Sequence, residues 1–413
     1  MVRKFLIIWS GQLLSTIGSN MTNFALTIWA WEKAGTVTAL AFMSFAFLAP
    51  TLITGLFMGV IVDKFERKLL MILGDIIMGI VSVILLSIYT FSSLEIWHIY
   101  SLIAITSPFS QLQSLASETI TADLVTPENY IRAGSLTSIL NYGSQIVAPA
   151  LAGFLYPIIS LTGILFIDLF TLILAIFTVI ITPIKEKKIK LHSNKITDNL
   201  TEIFIYLKEN KYFLTIITIE ILFWFIHDIG GSIFKPLILS RTDGNTFILG
   251  SISASAGIGG VMGGLIITFW GKIKNRFKGF IIGIMGASIC KLIFGFGQSI
   301  LIWLPLQFCS SLNFPLIYST RQGLYLDLIP SNLQGRIFAF SSWLRLGVGA
   351  ISALLGGILA DRIFEPWMMT DNIFSPLFGT QKGAGMSLLY VLCSVGMFFV
   401  GLWGHKYQRR NKP

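Results

Sequence analysis

Charged residues are scarce in this sequence, and their scarcity excludes an ordinary soluble protein. Asp, Glu, Lys and Arg make up 12% of the 413 residues, whereas hydrophobic residues make up 54%. Soluble domains carry about 25% charged residues, so the composition predicts a polytopic membrane protein. The formal net charge of +10 does not indicate nucleic-acid binding, because the basic residues lie in short loops and tails and form no basic face.

Cysteine and histidine are also rare, and their placement argues against a catalytic or metal site. The three cysteines, Cys290, Cys309 and Cys393, lie inside apolar runs without metal-ligand spacing, so we expect them in the core. The sequence offers no nucleophile–base pair and no His/Asp metal cluster. We therefore expect neither an enzyme nor a bound metal, and we assign no catalytic residue.

Long apolar runs fill most of the chain. A helix needs about 20 apolar residues to cross a bilayer, and twelve runs are of that order, six on each side of one long polar segment. We predict an all-α membrane protein with an N-terminal six-helix bundle (1–184), a cytoplasmic basic linker (185–210) and a C-terminal six-helix bundle (211–413). The predicted spans are 5–31, 37–62, 69–91, 97–120, 133–156, 160–182, 211–238, 247–270, 278–298, 300–326, 336–360 and 384–404.

The basic residues predict the orientation of these spans. If both termini are cytoplasmic, 23 of the 30 Lys and Arg residues fall on the cytoplasmic side. This asymmetry follows the positive-inside rule, so we expect an integral plasma (inner) membrane protein with both termini cytoplasmic. The linker is expected to lie on anionic lipid headgroups, with an amphipathic surface helix over residues 197–209.

A short charged loop between the second and third spans carries the most specific motif, Gly59-Val-Ile-Val-Asp63-Lys64-Phe-Glu66-Arg67-Lys68. Gly59 allows a neighbouring helix to approach closely, and Asp63 is placed to accept hydrogen bonds or to meet a helix N-terminus. An ordinary positive-inside loop would explain the basic residues, but not an aspartate at this distance from the glycine. The motif resembles the loop between helices 2 and 3 of the major facilitator superfamily of secondary transporters.

An internal repeat supports a plan of two similar halves. Residues 123–132 align without gaps on residues 327–336, and each copy is a short cytoplasmic connection between two spans. Arg132 and Arg336 each fall in the first turn of a helix, against the dipole preference. We therefore expect each arginine to pair with an acid, either Asp63 or the Asp of its own loop. Four repeat residues complete a predicted gating motif with the 59–68 loop: Asp123, Arg132, Asp327 and Arg336.

The spans, the repeat, the basic linker and the charged loop extend the resemblance over the whole chain. The superfamily fold implies two pseudo-symmetric six-helix bundles flanking a cavity lined mainly by spans 1, 4, 7 and 10. Within the superfamily, the opening of span 1 (Gly11-Gln12, Ser15, Gly18 and Asn20) and the 123–132 loop are similar to the branch that contains macrolide-efflux proteins and the enterobactin exporter.

Small residues in two further spans indicate close helix contacts. Span 5 reads Gly134-x8-Gly143-x4-Ala148-Pro149-x2-Ala152-Gly153, which resembles the Gly- and Pro-rich motif of the superfamily's exporters, although it departs by one residue of spacing and by Ala148 in place of Gly. Span 8 has small residues at four-residue steps from Ser251 to Gly263. The exporters' arginine motif is missing from span 4, which shifts attention to span 7.

Polar residues recur at three- and four-residue steps on the spans that the resemblance places around the cavity. A polar stripe facing lipid would cost several kcal/mol, so we expect these faces to point inward. For the Ser and Thr residues, hydrogen bonding between helices explains the pattern equally well. The predicted cavity-lining residues are Gln12, Thr16, Asn20, Asn23, Ser107, Gln111, Ser114, Glu118, Trp224, Gln307 and Tyr318.

Span 7 carries ionisable residues away from its ends. A carboxylate beside an imidazole in a low-dielectric cavity can hold or release a proton near neutral pH, which is the chemistry of a proton-coupled antiporter. The candidates for proton coupling or substrate binding are Glu220, His227, Asp228 and Arg345. A purely structural ion pair with Arg345 or Lys291 is the alternative for the two acids. The charged residues of the peripheral spans are expected to be structural: Asp75, Asp168 and Lys291.

Together these features favour a secondary active transporter that exports a small amphipathic or hydrophobic compound, drug- or macrolide-like, by proton-coupled alternating access. Its partners are then the small-molecule substrate and the lipid bilayer, with no nucleic acid, no cofactor beyond the proton gradient, and a monomeric state. A dedicated natural-product or siderophore exporter and a lipid flippase are the transport alternatives. A non-transporting receptor of this fold usually carries long extra cytoplasmic domains, and none is present.

Overall fold

The computed structural model describes residues 3–125, 130–184, 196–270, 273 and 275–410, and these residues form helices and short connections without any β-strand. Inside a bilayer each backbone polar group must be satisfied by the protein itself, and a helix does this within one segment. Long apolar runs joined by short polar loops therefore fold as helices, and the predicted all-α class is confirmed.

Most predicted spans coincide with a helix to within a few residues, and the predicted surface helix appears as α6. The long helices are α1 (Arg3–Ala34), α2 (Val37–Lys64), α3 (Arg67–Phe91), α4 (Ile96–Leu124), α5 (Tyr130–Ile181), α7 (Lys211–Arg241), α8 (Thr246–Trp270), α9 (Arg276–Phe296), α10 (Ile300–Leu312), α11 (Phe314–Leu328), α12 (Ser331–Leu359) and α15 (Ala384–Arg410). The shorter elements are α6 (Ile196–Glu209), a π-helical turn (Ala360–Phe364), α13 (Glu365–Met368) and α14 (Ser375–Phe378).

Nine stretches of the described residues are long and apolar enough to cross a membrane. They fall on α2, α3, α5, α7, α8, α9 and α15, on α10 with α11, and on α12 with the elements that follow it. The stretch in α5 alone has 39 residues, nearly twice what one span needs. The chain is an integral membrane protein, and the count of twelve spans stays a prediction.

Two helix interruptions fall inside long apolar runs of the sequence. Helix α5 breaks at Ser160, whose φ of 55° and ψ of −174° are not helical; this break separates predicted spans 5 and 6. Predicted span 10, by contrast, is two helices, α10 and α11, that meet at Asn313. Pro315 lies in the first turn of α11, and because proline has no N–H it cannot continue the hydrogen bonding of α10.

The chain forms two compact units. Unit 1 comprises Met1–Gly35, Phe42–Leu191 and Asn245–Ala254, and unit 2 comprises Thr36–Ala41, His192–Gly244 and Ser255–Pro413. The core of unit 1 contains buried side chains of α1 to α5. The core of unit 2 is built mainly on α7, α9 and α11. The predicted domain limits, at residues 184 and 211, stay predictions.

Within unit 1, α5 and the first turns of α8 meet backbone to backbone. A Cβ added to Gly153 would lie 2.6 Å from the carbonyl oxygen of Thr246, and one added to Gly250 would lie 2.6 Å from that of Pro149. The Thr246 hydroxyl also donates a hydrogen bond to the carbonyl oxygen of Gly153, at 2.9 Å. The Pro- and Gly-containing part of α5 is therefore a close helix contact, as its small residues predict.

Within unit 2, the remainder of α8 packs against α10 in the same manner. The Ser255 hydroxyl donates to the carbonyl oxygen of Leu304 at 2.8 Å. Gly259 and Gly263 face the carbonyl oxygens of Phe308 and Leu312 so closely that a Cβ at either position would overlap them. The four-residue stripe of small residues is thus the contact surface of α8 for α10.

The cysteines are only partly in the core. Cys393 is buried, Cys290 is half-buried and Cys309 is exposed. The expectation of a core position is therefore wrong for Cys309. A thiol behaves as a small hydrophobic group, so it is compatible with an exposed position on an apolar helix such as α10.

The segment after α12 holds the ends of two helices through carboxylates. Asp361 accepts hydrogen bonds from the backbone N–H groups of Val37 and Thr38, at 3.0 and 2.6 Å. Glu365 accepts from the N–H groups of Gly383 and Met386, at 3.0 and 2.7 Å. Both acids satisfy orphan donors at a helix N-terminus and complement its partial positive charge.

We expect Asp361→Ala to lower the free energy of unfolding by about 1 kcal/mol, because the first turn of α2 loses the acceptor for two N–H groups. The measurement is the unfolding of the detergent-purified protein. Asp371→Ala is the matched control, since Asp371 is an exposed aspartate in the same segment between α12 and α15. Equal stability of the two variants would contradict the capping role.

Candidate functional site

Helix α7 presents four candidate residues on one side. Glu220, Trp224, His227 and Asp228 occupy positions i, i+4, i+7 and i+8, which share one helix face. All four belong to unit 2, and the residues that contact them come mainly from α11 and α12 of the same unit. The polar face of α7 therefore lies inside unit 2.

Glu220 is the centre of one hydrogen-bonded group. It is 6% exposed, and its Oε1 lies 2.6 Å from Nε of Arg321 on α11. Tyr325 donates its hydroxyl hydrogen to Glu220 Oε2 at 2.7 Å, and the Ser341 hydroxyl lies 3.3 Å from the same tyrosine oxygen. The Arg321 guanidinium also stacks over the Tyr325 ring, 4.5 Å from its centroid.

The partner of Glu220 differs from the alternatives that the sequence suggested. Neither Arg345 nor Lys291 pairs with it; Lys291 instead donates to the Tyr390 hydroxyl at 3.1 Å. Arg321 falls near the end of predicted span 300–326 and is one of the 23 basic residues expected on the cytoplasmic side. A basic residue inside an apolar run was the signal that could have identified it.

Asp228 is the centre of a second group, eight residues or about two helical turns beyond Glu220. Its carboxylate pairs with Arg345 of α12, at 2.5 Å to Nη1 and 3.4 Å to Nη2. His227 Nδ1 lies 3.0 Å from Asp228 Oδ1. The guanidinium of Arg345 stacks on the Trp224 indole at 4.1 Å. The Asp228 carboxylate thus contacts both the imidazole of His227 and the guanidinium of Arg345.

Aromatic rings surround this second group. The Trp224 ring lies 5.0 Å from His227 and 5.5 Å from Tyr318, centroid to centroid. Phe314 lies 5.9 Å from Trp224 and 5.2 Å from His227. Offset and edge-on packing at these distances is favourable, so the charged residues are held beside an aromatic wall built from α7 and α11.

One cleft in unit 2 joins the two groups. Its polar lining consists of Glu220, Tyr325, Ser341 and Arg345, and Trp224 contributes an aromatic wall. Ile217, Ile221, Leu344 and Val348 complete the lining. Because each carboxylate has its own arginine, protonating either carboxylate would leave a guanidinium without its counter-charge in a poorly solvated place.

A separate polar cleft lies in unit 1, with a cavity volume of about 200 Å³. Four of the predicted cavity-lining residues line it: Gln12, Thr16, Ser114 and Glu118. Its wall contains four more polar residues that were not predicted: Ser110, Gln113, Ser117 and Thr137. Ser110, Gln113 and Ser117 lie on the same face of α4 as Ser114, so a wider definition of that polar face would have included them.

Other predicted cavity residues lie elsewhere. The Asn20 amide donates to Ser144 at 3.1 Å, which is a contact between α1 and α5. Ser107 is fully buried, Gln111 is half-buried and Asn23 is exposed. Tyr318 is exposed at 46% on the aromatic wall of unit 2. The buried Oε1 of Gln307 has no hydrogen-bond partner among the described residues.

Two buried acids of unit 1 are held by neutral donors. Asp75 accepts from the Gln12 amide at 3.2 Å, and the Gln113 amide donates to Gln12 Oε1 at 2.6 Å. Asp168 accepts from the hydroxyls of Ser19 and Ser82, at 2.9 and 3.0 Å. These contacts agree with the structural role expected for both acids.

The described part of the 59–68 loop binds the end of α5. Lys68 donates to the carbonyl oxygens of Ile180 and Thr182, at 3.0 and 2.9 Å. A lysine at helix-terminal carbonyl groups is favourable. Arg67 is buried and Lys64 is exposed. The side chains of Asp63, Asp123 and Arg132, and the surroundings of Gly59, lie outside the described residues.

The second copy of the repeat pairs in an unexpected way. Asp327 forms an ion pair with Arg276 at the start of α9, and Arg336 forms one with Glu202 of the surface helix α6. The expectation that Arg336 pairs with Asp327 of its own loop is therefore wrong, and a pairing with Asp63 stays a prediction because that side chain lies outside the described residues. The reason is that α6 brings an acid to the first turn of α12, which sequence spacing cannot reveal.

Comparison with known proteins agrees with this architecture. The family model of the Major Facilitator Superfamily matches residues 8–354, and the chain belongs to that superfamily of transporters. It is similar to macrolide efflux protein A of Streptococcus pyogenes, at 25% identity over 365 residues, which cover 87% of this chain and 90% of that protein.

Solved structures share the fold. A bacterial homologue of the iron transporter ferroportin, in an inward-facing state, has a TM-score of 0.73 at 14% identity and covers 98% of both chains. The nucleoside transporter NupG has a TM-score of 0.72 at 15% identity, covering 98% of this chain and 100% of its own. At these identities the likeness establishes the fold alone.

We expect Arg321→Met to lower the free energy of unfolding by about 3 kcal/mol, because it leaves the buried Glu220 without a counter-charge. The double variant Glu220→Gln/Arg321→Met should recover most of this loss. The measurement is an unfolding titration of the detergent-purified protein.

The matched control for this experiment is Lys33→Met. It breaks the ion pair between Lys33 and Glu95, whose side chains are 44% and 46% exposed, so the expected loss stays below about 1 kcal/mol. If the double variant is no more stable than Arg321→Met alone, the loss does not come from the unpaired charge.

Proposed function

We propose that this transporter exports a small amphipathic or hydrophobic compound in exchange for protons, by alternating access. The observation that carries the proposal is the pair of carboxylates on α7, each bound by one arginine inside unit 2. A proton-coupled exporter needs a buried group whose protonation changes the interactions around it, and either acid provides one.

The coupling step follows from the charge balance of the two ion pairs. Glu220 and Asp228 together carry two negative charges, and Arg321 and Arg345 carry two positive ones. A proton on either acid weakens its ion pair and frees a guanidinium, which then favours a conformation where water or another acceptor reaches it. His227, 3.0 Å from Asp228, is placed to pass that proton.

The substrate class is supported by the aromatic wall of unit 2 and by one relative. Aromatic rings of α7 and α11 offer flat apolar surface beside hydrogen-bonding groups, which suits an amphipathic molecule. The name of the Streptococcus pyogenes relative, macrolide efflux protein A, points in the same direction. A macrolide is therefore the first compound to test.

The remaining features are proposed from the pattern of the sequence. The chain works as a monomer in the inner membrane with both termini cytoplasmic, on the basis of its Lys and Arg distribution. Asp63 of the 59–68 loop locks the cytoplasmic gate. The contact of Lys68 with the end of α5 supports a loop that is anchored rather than freely solvated.

The test is accumulation of labelled hydrophobic compounds, a macrolide among them, in cells that produce the wild type, Glu220→Gln or Asp228→Asn. We expect the wild type to lower accumulation several-fold and an uncoupler to abolish the difference. At least one substitution should abolish it as well, because Gln and Asn keep hydrogen bonding but cannot exchange the proton.

The matched control is Glu95→Gln, which changes an exposed carboxylate outside the cleft, with all variants compared at equal amounts in the membrane. Efflux that survives both α7 substitutions would place the coupling site elsewhere. If the wild type excludes no compound of the panel, the proposed substrate class is wrong.

A further inference from the structure

The chain between α12 and α15, residues 360–383, lies where several helices of unit 2 end, and we call it the α12–α15 segment. Glu365 fixes it to the start of α15. The carbonyl oxygen of Phe378 accepts a hydrogen bond at 2.6 Å from Arg241, the last residue of α7. The Phe378 ring stacks on Phe296, the last residue of α9, with 5.2 Å between the centroids. Because α7, α9 and α15 are long and apolar enough to cross a membrane, the segment lies at one surface of the bilayer.

The apolar stretch that contains α12 is too long for a single crossing. It runs from Leu333 to Met368, and its 36 residues correspond to about 54 Å of helix at 1.5 Å per residue. The hydrocarbon core of a bilayer is about 30 Å thick. The part of the stretch that follows the π-helical turn at Ala360–Phe364 therefore extends beyond the hydrocarbon core, at the surface where α15 begins.

One apolar side of the α12–α15 segment packs on unit 2. Met368 and Phe378 are buried in a small core that they share with α15, and Phe364 and Phe374 pack against it. The Asn372 side chain makes several hydrogen bonds with the neighbouring backbone, which fix the turn between α13 and α14. The segment is therefore a fixed part of unit 2.

A second set of apolar side chains points away from this core. Its members are between 43% and 82% exposed: Ile363, Trp367, Met369, Ile373 and Leu377. The polar residues Thr370, Asp371 and Asn372 are instead grouped at the turn. A segment that is apolar on both sides is typical of burial in a protein core or in a membrane, so the second side requires a cover of its own.

The exposed side continues an apolar stripe of α9. Ile289, Ile293 and Phe296 follow one another at steps of four and three residues, and each is more than 40% exposed. An exposed apolar stripe along a membrane-crossing helix is covered by lipid chains, which are as apolar as leucine. The stripe ends at Phe296, which stacks on Phe378 of the segment. The surface covered by lipid on α9 is therefore continuous with the exposed side of the segment.

The residue types of the exposed side suit the headgroup region. Indole rings are enriched at membrane–water interfaces, because a flat apolar body carries one polar N–H group. Trp367 occupies such a position between the end of α12 and the polar turn. Arg362 is exposed at the start of the segment, where a long basic side chain lays its stem on apolar surface and holds its charge among the headgroups.

We infer that the α12–α15 segment is an interfacial anchor, whose exposed apolar side chains insert among the headgroups and upper acyl chains of the leaflet at which α12 ends. The occupant of this side is lipid, because the side continues the lipid-covered stripe of α9. The anchor fixes the depth of unit 2 in the bilayer. The inference concerns a surface away from the carboxylates of α7, and it is independent of the proposed export.

The test is the accessibility of nitroxide labels on the full-length protein in nanodiscs of phosphatidylcholine and phosphatidylglycerol. Labels are attached at Ile373→Cys and Leu377→Cys in a chain whose three native cysteines are replaced by alanine. The matched control is Asp371→Cys, an exposed position on the polar turn. Molecular oxygen concentrates among acyl chains, whereas a nickel chelate stays in water. We expect the ratio of oxygen to nickel accessibility to be several-fold higher at positions 373 and 377 than at position 371.

A second measurement keeps the native cysteines. The emission of the wild type minus that of Trp367→Phe isolates the contribution of this indole. We expect lipids brominated close to the headgroup to quench the difference spectrum strongly, because bromine quenches an indole on contact.

Three results would overturn the inference. Labels at positions 373 and 377 that meet the nickel chelate as readily as the label at 371 would show a segment in water. Labels that neither reagent reaches would show that protein, such as a second copy of the chain, covers this side. A difference spectrum that brominated lipid leaves unchanged would show that Trp367 does not contact the bilayer.

Discussion

Opposite charges buried against each other are the constraint on which unit 2 depends. Glu220 and Asp228 face inward from α7 only because Arg321 and Arg345 meet them from α11 and α12. In a low-dielectric interior, a protein that keeps one member of such a pair without the other is far less stable than one that keeps both. Tyr325 and His227 add hydrogen bonds that fix the orientation of each carboxylate. Three helices are thereby held in register by a few polar contacts.

The two units stabilise buried acids in physically different ways. In unit 1, Asp75 and Asp168 are held by amides and hydroxyls, which can hydrogen-bond to a protonated acid as well as to a charged one. In unit 2 the partners are guanidinium groups, which lose their counter-charge when the acid takes up a proton. The same event therefore has little structural consequence in unit 1 and a large one in unit 2, although the halves share a repeat.

The helices were predictable because a bilayer imposes length and apolarity on each one. The face of α7 was predictable for a related reason, since polar residues inside an apolar run stand out by their spacing. The partner Arg321 was missed because a basic residue near the end of a run resembles a loop residue. The Asn313 break was missed because Phe314 and Pro315 interrupt the helix without interrupting the apolar run.

Pairings between residues far apart in the chain could not be predicted, because helical spacing relates only residues of the same helix. Arg336 lies 134 residues from Glu202, and no periodicity connects α6 with the first turn of α12. The unit 1 cleft was predicted in part, because Gln12 and Glu118 follow helical spacing, whereas Thr137 enters its wall from α5. Spacing identifies the face of one helix, and the packing of several helices decides which residues of that face share a cavity.

The stacking of Arg345 on Trp224 gives the cleft an optical signal of its own. The guanidinium lies 4.1 Å from the indole ring, and its other contact is the Asp228 carboxylate. The absorption and emission of an indole respond to the electric field of a nearby charge. Any rearrangement of this ion pair changes the field at one ring of the ten tryptophans, so the spectrum of the protein reports on the state of the cleft without an attached label.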